Sequence, residues 1–301
     1  MARKPIIMSN PLGEVFGFPI VNESERAERY RSKRLCPFHN RVPNCTKSRA
    51  DDPLGVCSVF HRGEAVITCP VRFREDWLIV NDASEFFFAP GTKWTSLGEV
   101  RLSDKNGGSI GNIDYVLVAY DDRGRVLDFA SLEVQAVYIS GNLGGAFKTY
   151  MEAPTPDFTW KGALYYPVPD YLSSSKKRLG PQLISKGGVM KLWGKKQAVA
   201  MQTTFYNTLP KLDEVAPTEA DLAWFLYDLI FDETSQCMRL TCSRTVYTKY
   251  EDAMLRLNNN EPCEMDVFIE RLQKKLTTKL TGGADLDAPF LGDEDGLPVE
   301  L

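Results

Sequence analysis

Two apolar segments joined by a tight charged turn restrict this chain more than any other stretch. NIDYVLVAY (112–120) and FASLEVQAVYISG (129–141) are crowded with Val, Ile, Phe and Tyr and hold no Pro, so both are expected to be strands. DDRGR (121–125) between them is turn chemistry, which predicts a β-hairpin. In the second strand Ser131, Glu133 and Gln135 alternate with Leu132, Val134 and Ala136. A strand sends successive side chains to opposite faces, so the polar trio shares one face. A carboxylate in so apolar a strand calls for a chemical reason, because burying a charge without a partner is costly.

Asp114, in the first strand, suggests one. The hairpin turns the chain back so that Glu133 comes opposite or near it. Carboxylates on neighbouring strands make an oxygen site for a hard divalent ion, and Mg²⁺ typically takes one or two of them and completes its shell with water and phosphate. Such an ion polarises a phosphoryl oxygen and lowers the pKa of a bound water. The spacing D-x18-E-x-Q alone is common, since many sheets carry an acid at a partly exposed strand position. The context is less common: glycine-rich NGGSIGN leads into Asp114, and the strand around Glu133 is apolar.

Charge is unevenly spread. The chain carries −4 overall, yet residues 285–301 hold six acids and no Lys or Arg, and removing those acids turns −4 into +2. Residues 26–49 carry eight basic side chains against the single acid Glu28, and residues 171–212 carry eight with no acid. Charge runs are ordinarily solvated faces, but two local basic surfaces can also meet phosphates while the whole protein stays acidic.

Four of the seven cysteines lie near the N-terminus, Cys36, Cys45, Cys57 and Cys69, spaced C-x8-C-x11-C-x11-C. This is not the C-x2-C pairing of a zinc ribbon. An odd cysteine count without a signal peptide argues against a disulfide framework and leaves metal binding or buried thiols. Four thiolates in a loop-rich segment offer a tetrahedral ion that couples binding to folding. His39 and His61, the only histidines, fall in the same region and can replace a ligand, although surface polar roles are ordinary for them. Cys237, Cys242 and Cys263 read as core or surface thiols.

Residues 1–75 read as loop-rich, and DASEFFFAPGTKWTSLGEVRL as short helices around Gly and Pro breaks. GALYYPVPDYL reads as a loop and KKQAVAMQTTFYNTL as a buried strand and helix. AWFLYDLIFD and MRLTCSRTVYT suggest a second hairpin around DETSQ, and EMDVFIERLQKKLTTKL is an amphipathic helix with a GG stop. Hairpin, crossover and helices together predict an α/β or α+β core with a mixed sheet. With no apolar h-region at the N-terminus and no run approaching roughly 18 apolar residues, no membrane partner and a cytoplasmic location are expected.

SIGNIDYVLV, a hairpin and LEVQAVY together resemble the PD-(D/E)XK nuclease core, in the variant where Gln replaces the usual Lys. CPFHNRVPNCTKSRADDPLGVCSVF, continued to Cys69, resembles the cysteine-rich module of the NotI type II restriction endonucleases, and the likeness extends to LISKGGVMKLWGKKQAVAMQ. The resemblance implies an α/β fold: a PD-(D/E)XK core with a mixed central sheet flanked by helices over residues 76–301, ending in the acidic tail 285–301. Before it comes a loop-rich four-cysteine metal-binding module over residues 1–75. It implies Asp114 and Glu133 as metal-binding carboxylates, Gln135 as the third catalytic-motif residue, and, as a looser match, Glu99 as the acid that many such cores place on a preceding helix. It also implies a structural iron on Cys36, Cys45, Cys57 and Cys69, for which zinc is equally suited.

For DNA, guanine O6 and N7 call for Arg or Lys, whereas phosphate contacts position without specifying. Arg31, Arg34, Arg41, Lys105, Arg178, Gln182 and Lys186, in basic or polar segments, are the candidates. The expectation is a Mg²⁺-dependent type II restriction endonuclease, homodimeric, cutting double-stranded DNA, and the resemblance implies that it does so within a GC-rich palindrome with a GGCC core, CGGCCG. The alternatives are a sequence-specific DNA-binding protein with an inactive core, and a metal-stabilised interaction protein without DNA.

Overall fold

A computed structural model describes residues 10–39, 42–160, 165–259 and 262–281. Arg41, the GG stop and the tail 285–301 lie outside the described residues. Residues up to Asn258 form one compact unit.

The N-terminal portion is more regular than its Pro and Gly content suggests. β1 (Leu12–Val15), β2 (Phe18–Pro19), β3 (Val56–His61) and β4 (Glu64–Ile67) form an antiparallel sheet ordered β2-β1-β3-β4, with helix α1 (Glu25–Ser32) between β2 and β3. The strands run two to six residues. Alternation over so few positions is barely visible, which is why this stretch reads as loop. Ser24 caps α1 through Ala27 N–H, at 3.3 Å.

A kinked pair of 3₁₀ turns (Pro70–Trp77) leads into α2 (Leu78–Phe87), then β5 (Trp94–Ser103), β6 (Ser109–Tyr120), β7 (Val126–Gln135), β8 (Ile139–Ser140), α3 (Leu143–Glu152) and β9 (Val168–Pro169). WTSLGEVRLS is thus an edge strand, not helix. Its half-exposed alternation imitates helical spacing in a short window.

From Tyr171 to Leu192 the backbone is helical: α4 (Tyr171–Ser174), a π-turn (Ser175–Leu179), α5 (Gly180–Gln182), a second π-turn (Leu183–Gly187) and α6 (Gly188–Leu192). Gly180, Pro181, Gly187 and Gly188 hide this helix from sequence reading. Pro181 has no N–H to give to the preceding turn, and the π-turns accommodate it.

β10 (Gln197–Gln202), the single turn α7 (Thr203–Tyr206), β11 (Leu222–Asp232), β12 (Cys237–Thr248) and α8 (Tyr250–Asn258) complete the unit. Its main sheet is ordered β12-β11-β10-β7-β6-β5; β10 runs parallel to β7 and β11, and the other pairs are antiparallel. Both expected hairpins form. QAVAMQ is buried at every position because helices and the small sheet cover both faces, as an interior parallel strand requires. Ala198, Ala200, Tyr115, Leu117, Ala130 and Leu132 pack with α2 on one side, while Val199, Met201, α3 and Leu12, Val15 and Val59 of the small sheet form a core on the other. Gln202 joins the sheets as a side-chain amide replacing a strand: its Oε1 accepts from Ile67 N–H at 2.8 Å and its Nε2 donates to the Ala65 carbonyl at 2.6 Å.

A second unit, residues 259–301, contains α9 (Met265–Leu280), with Asp266 in its first turn and Lys279 in its last, as the helix dipole favours. No helix among the described residues is long and apolar enough to cross a membrane.

Candidate active site

Tyr115 pairs with Leu132 and Val116 with Ser131, so one step further Asp114 stands level with Glu133, on the face expected for Glu133 and Gln135. Regular pairing ends there. Asp114 Oδ2 accepts from Val134 N–H at 2.8 Å, taking the place of a ladder carbonyl, and the two strands part beyond it.

Glu133 and Gln135 are each only 6 % exposed. Glu133 Oε2 accepts from Lys186 Nζ at 2.5 Å, and the same ammonium donates to the Asn112 carbonyl at 2.9 Å. Glu133 Oε1 is buried with no hydrogen-bond partner among the described residues. Burial, reinforced by the negative charge of Asp114 and opposed by Lys186, pushes the Glu133 carboxyl up to about 8. An orphaned carboxylate oxygen beside a second carboxylate is the donor set that a hard divalent ion completes, so the residues present fit Mg²⁺. Gln135 Nε2 donates to the Ala136 carbonyl at 2.7 Å, which holds the amide in place.

Asp114 and Gln135 line a cleft of about 450 Å³. Lys47 and Ser48 reach it from the first basic segment, and Arg178 and Gln182 from the second, with Arg178 lying 4.6 Å over the Tyr138 ring. The two basic stretches therefore meet at the carboxylates. Lys47 was not singled out by sequence, where it is one basic residue among eight.

Other sequence candidates sit elsewhere. Arg31 is 6 % exposed, and its guanidinium donates to the carbonyls of Asn22 (2.8 Å) and Pro19 (2.6 Å), so it fastens α1 to β2 and has no surface to offer DNA. Lys186 is likewise a buried partner of Glu133 and cannot read a base. Arg34 is exposed and paired with Asp52 at 2.7 Å, and Lys105 stands in the exposed β5–β6 turn. Glu99 lies on strand β5, not a helix, level with Asp114 but at a left-handed φ of 58°. Its carboxylate approaches Arg74 (4.0 Å), which lies over the Tyr115 ring, and Tyr115 belongs to the opposite face from Asp114. The fold does not bring Glu99 to the Asp114–Glu133 pair.

Cys36, Cys45, Cys57 and Cys69 line one small cavity together with Phe38, His39, Lys47 and Arg72. Burial is the main reason that the Cys36 thiol is pushed up to about 11 and that the Cys45 and Cys57 thiols are raised, with neighbouring cysteines adding to the effect. Among the described residues no group of three or more His, Cys, Asp or Glu side chains, the four cysteines included, is placed to hold a metal ion. His61 ends β3 and does not line this cavity.

The family model for restriction endonuclease NotI matches residues 14–240, about three quarters of the chain, from β1 into β12. The chain belongs to the NotI restriction endonuclease family. It is accordingly a site-specific nuclease acting on double-stranded DNA. The NotI match spans the cysteine cavity, both carboxylate strands and the 171–192 helix, and stops before α8 and α9. No curated protein matches the chain.

Proposed function

We propose that this NotI-family protein is a Mg²⁺-dependent type II restriction endonuclease that acts as a homodimer and cuts both strands within a GC-rich palindrome with a GGCC core, CGGCCG. The observation that carries the reading is the Asp114–Glu133 pair, with one buried carboxylate oxygen that has no hydrogen-bond partner among the described residues, at a cleft lined from two basic segments. Asp114 and Glu133 would hold the ion, which when bound polarises the scissile phosphate and acidifies a water. Arg178 places the DNA backbone, since a cation facing a cleft neutralises phosphates, whereas the Lys47 ammonium donates to the Val56 carbonyl (2.5 Å) beside the cysteines and fixes its loop at the cleft wall. Gln135 positions the water that attacks phosphorus in line, because an amide has no proton to take or release at neutral pH. The P–O3′ bond breaks and a 5′-phosphate remains. A palindrome suits two-fold related protomers, each cutting one strand.

Digestion of a sequenced phage genome with Mg²⁺, followed by sequencing of the fragment ends, tests this. Ends that all fall in CGGCCG with 5′-phosphates, and no cutting in EDTA, are expected. Salt-sensitive binding without any Mg²⁺-dependent cutting would instead leave a DNA-binding protein with an inactive core.

The four thiols lining one cavity support a structural iron or zinc ion that ties β3 and the stretch after β4 to the loop carrying Lys47. Stoichiometric metal in the purified protein, and a large fall in unfolding temperature for Cys57→Ala, are the expected outcomes. Purified protein without stoichiometric metal, together with Cys57→Ala unfolding at the parent temperature, would remove the ion.

A further inference from the structure

The strand that carries Glu133 brings no positive charge to the site, because Gln135 is neutral. The fold brings one from the 171–192 helix. Lys186, 53 residues from Glu133, lies in the second π-turn and is 6 % exposed. Its Nζ touches Glu133 Oε2 (2.5 Å) and the Asn112 carbonyl (2.9 Å), so it spans the strand of Asp114 and the strand of Glu133. Its stem passes Gly111, where a Cβ would make only ordinary contact with Lys186 Cδ at 3.5 Å; the φ of +147° is what calls for glycine there. Ordering and burying a lysine costs side-chain entropy as well as desolvation, so this is no casual surface pairing.

The contact also makes the two oxygens of Glu133 unequal. Oε2 is held by an ammonium, and Oε1 is buried with no hydrogen-bond partner among the described residues. A carboxylate free to rotate would present either oxygen; one oxygen fastened leaves the other at a fixed place beside Asp114.

We infer that Lys186 is the positioning cation of this site: it clamps Oε2 so that Oε1 is presented to a divalent ion shared with Asp114, and it supplies from a distant helix the positive charge that Gln135 does not. The inference rests on Asp114 and Glu133 being the metal pair. Lys186 acts through Glu133 and the electrostatics of the pair.

The test uses the full chain and a duplex containing CGGCCG. Single-turnover cleavage is followed over a range of Mg²⁺ concentrations, DNA affinity is measured without divalent ions, and folding is checked by circular dichroism. For Lys186→Met, the expected result is cleavage slowed by about 100-fold, with a higher Mg²⁺ requirement and DNA affinity unchanged within about threefold. Lys186→Gln keeps a hydrogen-bond donor without the charge and is expected to be similarly slow, which covers the case in which the Met variant folds poorly. Adding Gln135→Lys to the slow variant is expected to recover at least about tenfold of the rate, because a charge restored from Glu133's own strand, two residues on and on the same face, serves the same carboxylate. A purely structural lysine would not be replaced in that way. Cleavage by both Lys186 variants near the parent rate, or no recovery on adding Gln135→Lys, overturns the inference. Should Glu133→Ala also cut, the site assignment itself falls. Should Glu133→Ala be inactive while the Lys186 variants cut normally, only the role of Lys186 falls.

Discussion

Replacing Glu133 by alanine is expected to lower Mg²⁺-dependent cleavage by about three orders of magnitude or more, a loss of about 4 kcal/mol of transition-state stabilisation. DNA binding without divalent ions should persist, since Glu133 is buried against Lys186 and offers no surface to the phosphates. The size of the effect follows from position. Glu133 is buried between β6 and the 171–192 helix, with one oxygen on Lys186 and the other without a hydrogen-bond partner among the described residues. No neighbouring acid can replace it, because Asp114 already holds Val134 N–H and Glu99 is turned toward Arg74. Removing the carboxylate also strands the Lys186 ammonium, so Glu133→Gln, which keeps the shape and an acceptor, separates loss of chemistry from loss of folding. Cleavage by both variants at the parent rate would remove this pair as the site of chemistry.

The largest expected effect on stability lies at Arg72. This residue is fully buried, and its Nε meets Glu14 at 3.0 Å, one terminal nitrogen meets Glu75 at 2.7 Å, and the other donates to the Met238 carbonyl at 2.9 Å. Glu14 also accepts from Ser58 Oγ (2.9 Å) and Glu75 from Leu240 N–H (2.7 Å). One guanidinium therefore joins β1, the turns before α2, and β12. Burial raises the Glu14 carboxyl, and Arg72 is the chief influence pulling it back down. Arg72→Ala leaves Glu14 a buried carboxylate without a cation and Glu75 with only half-exposed Arg239 at 3.4 Å, and should cost about 3–5 kcal/mol, read as a shift in the urea midpoint. The triple variant Arg72→Met with Glu14→Gln and Glu75→Gln should cost far less than Arg72→Ala, because no charge is then left alone. If Arg72→Ala shifts stability by less than about 1 kcal/mol, the network is not the fastening it resembles.

The parts of this protein that were legible in the sequence are those set by near neighbours. The β6–β7 hairpin follows from two apolar runs and the DDRGR turn, and a period of two along β7 places Ser131, Glu133 and Gln135 on one face without reference to anything else. The second hairpin, β11–β12, was legible for the same reason. The small N-terminal sheet was not, because its strands are too short for alternation to show, nor was β5, whose exposed edge blurs the period.

The cations were the least legible part of the site. Arg31, Lys47 and Lys186 look alike in a basic segment, yet one fastens α1 to β2, one reaches the cleft and one clamps Glu133. Hydrophobic period and turn chemistry act over a few residues, so the sequence alone determined the carboxylate pair and the face it occupies. Which charges meet that pair depends on the phase of a helix that runs through Gly180-Pro181 by π-turns and packs on β6 from far along the chain. Only the tertiary structure decided that, because a long flexible side chain takes its partner from what packing places within reach.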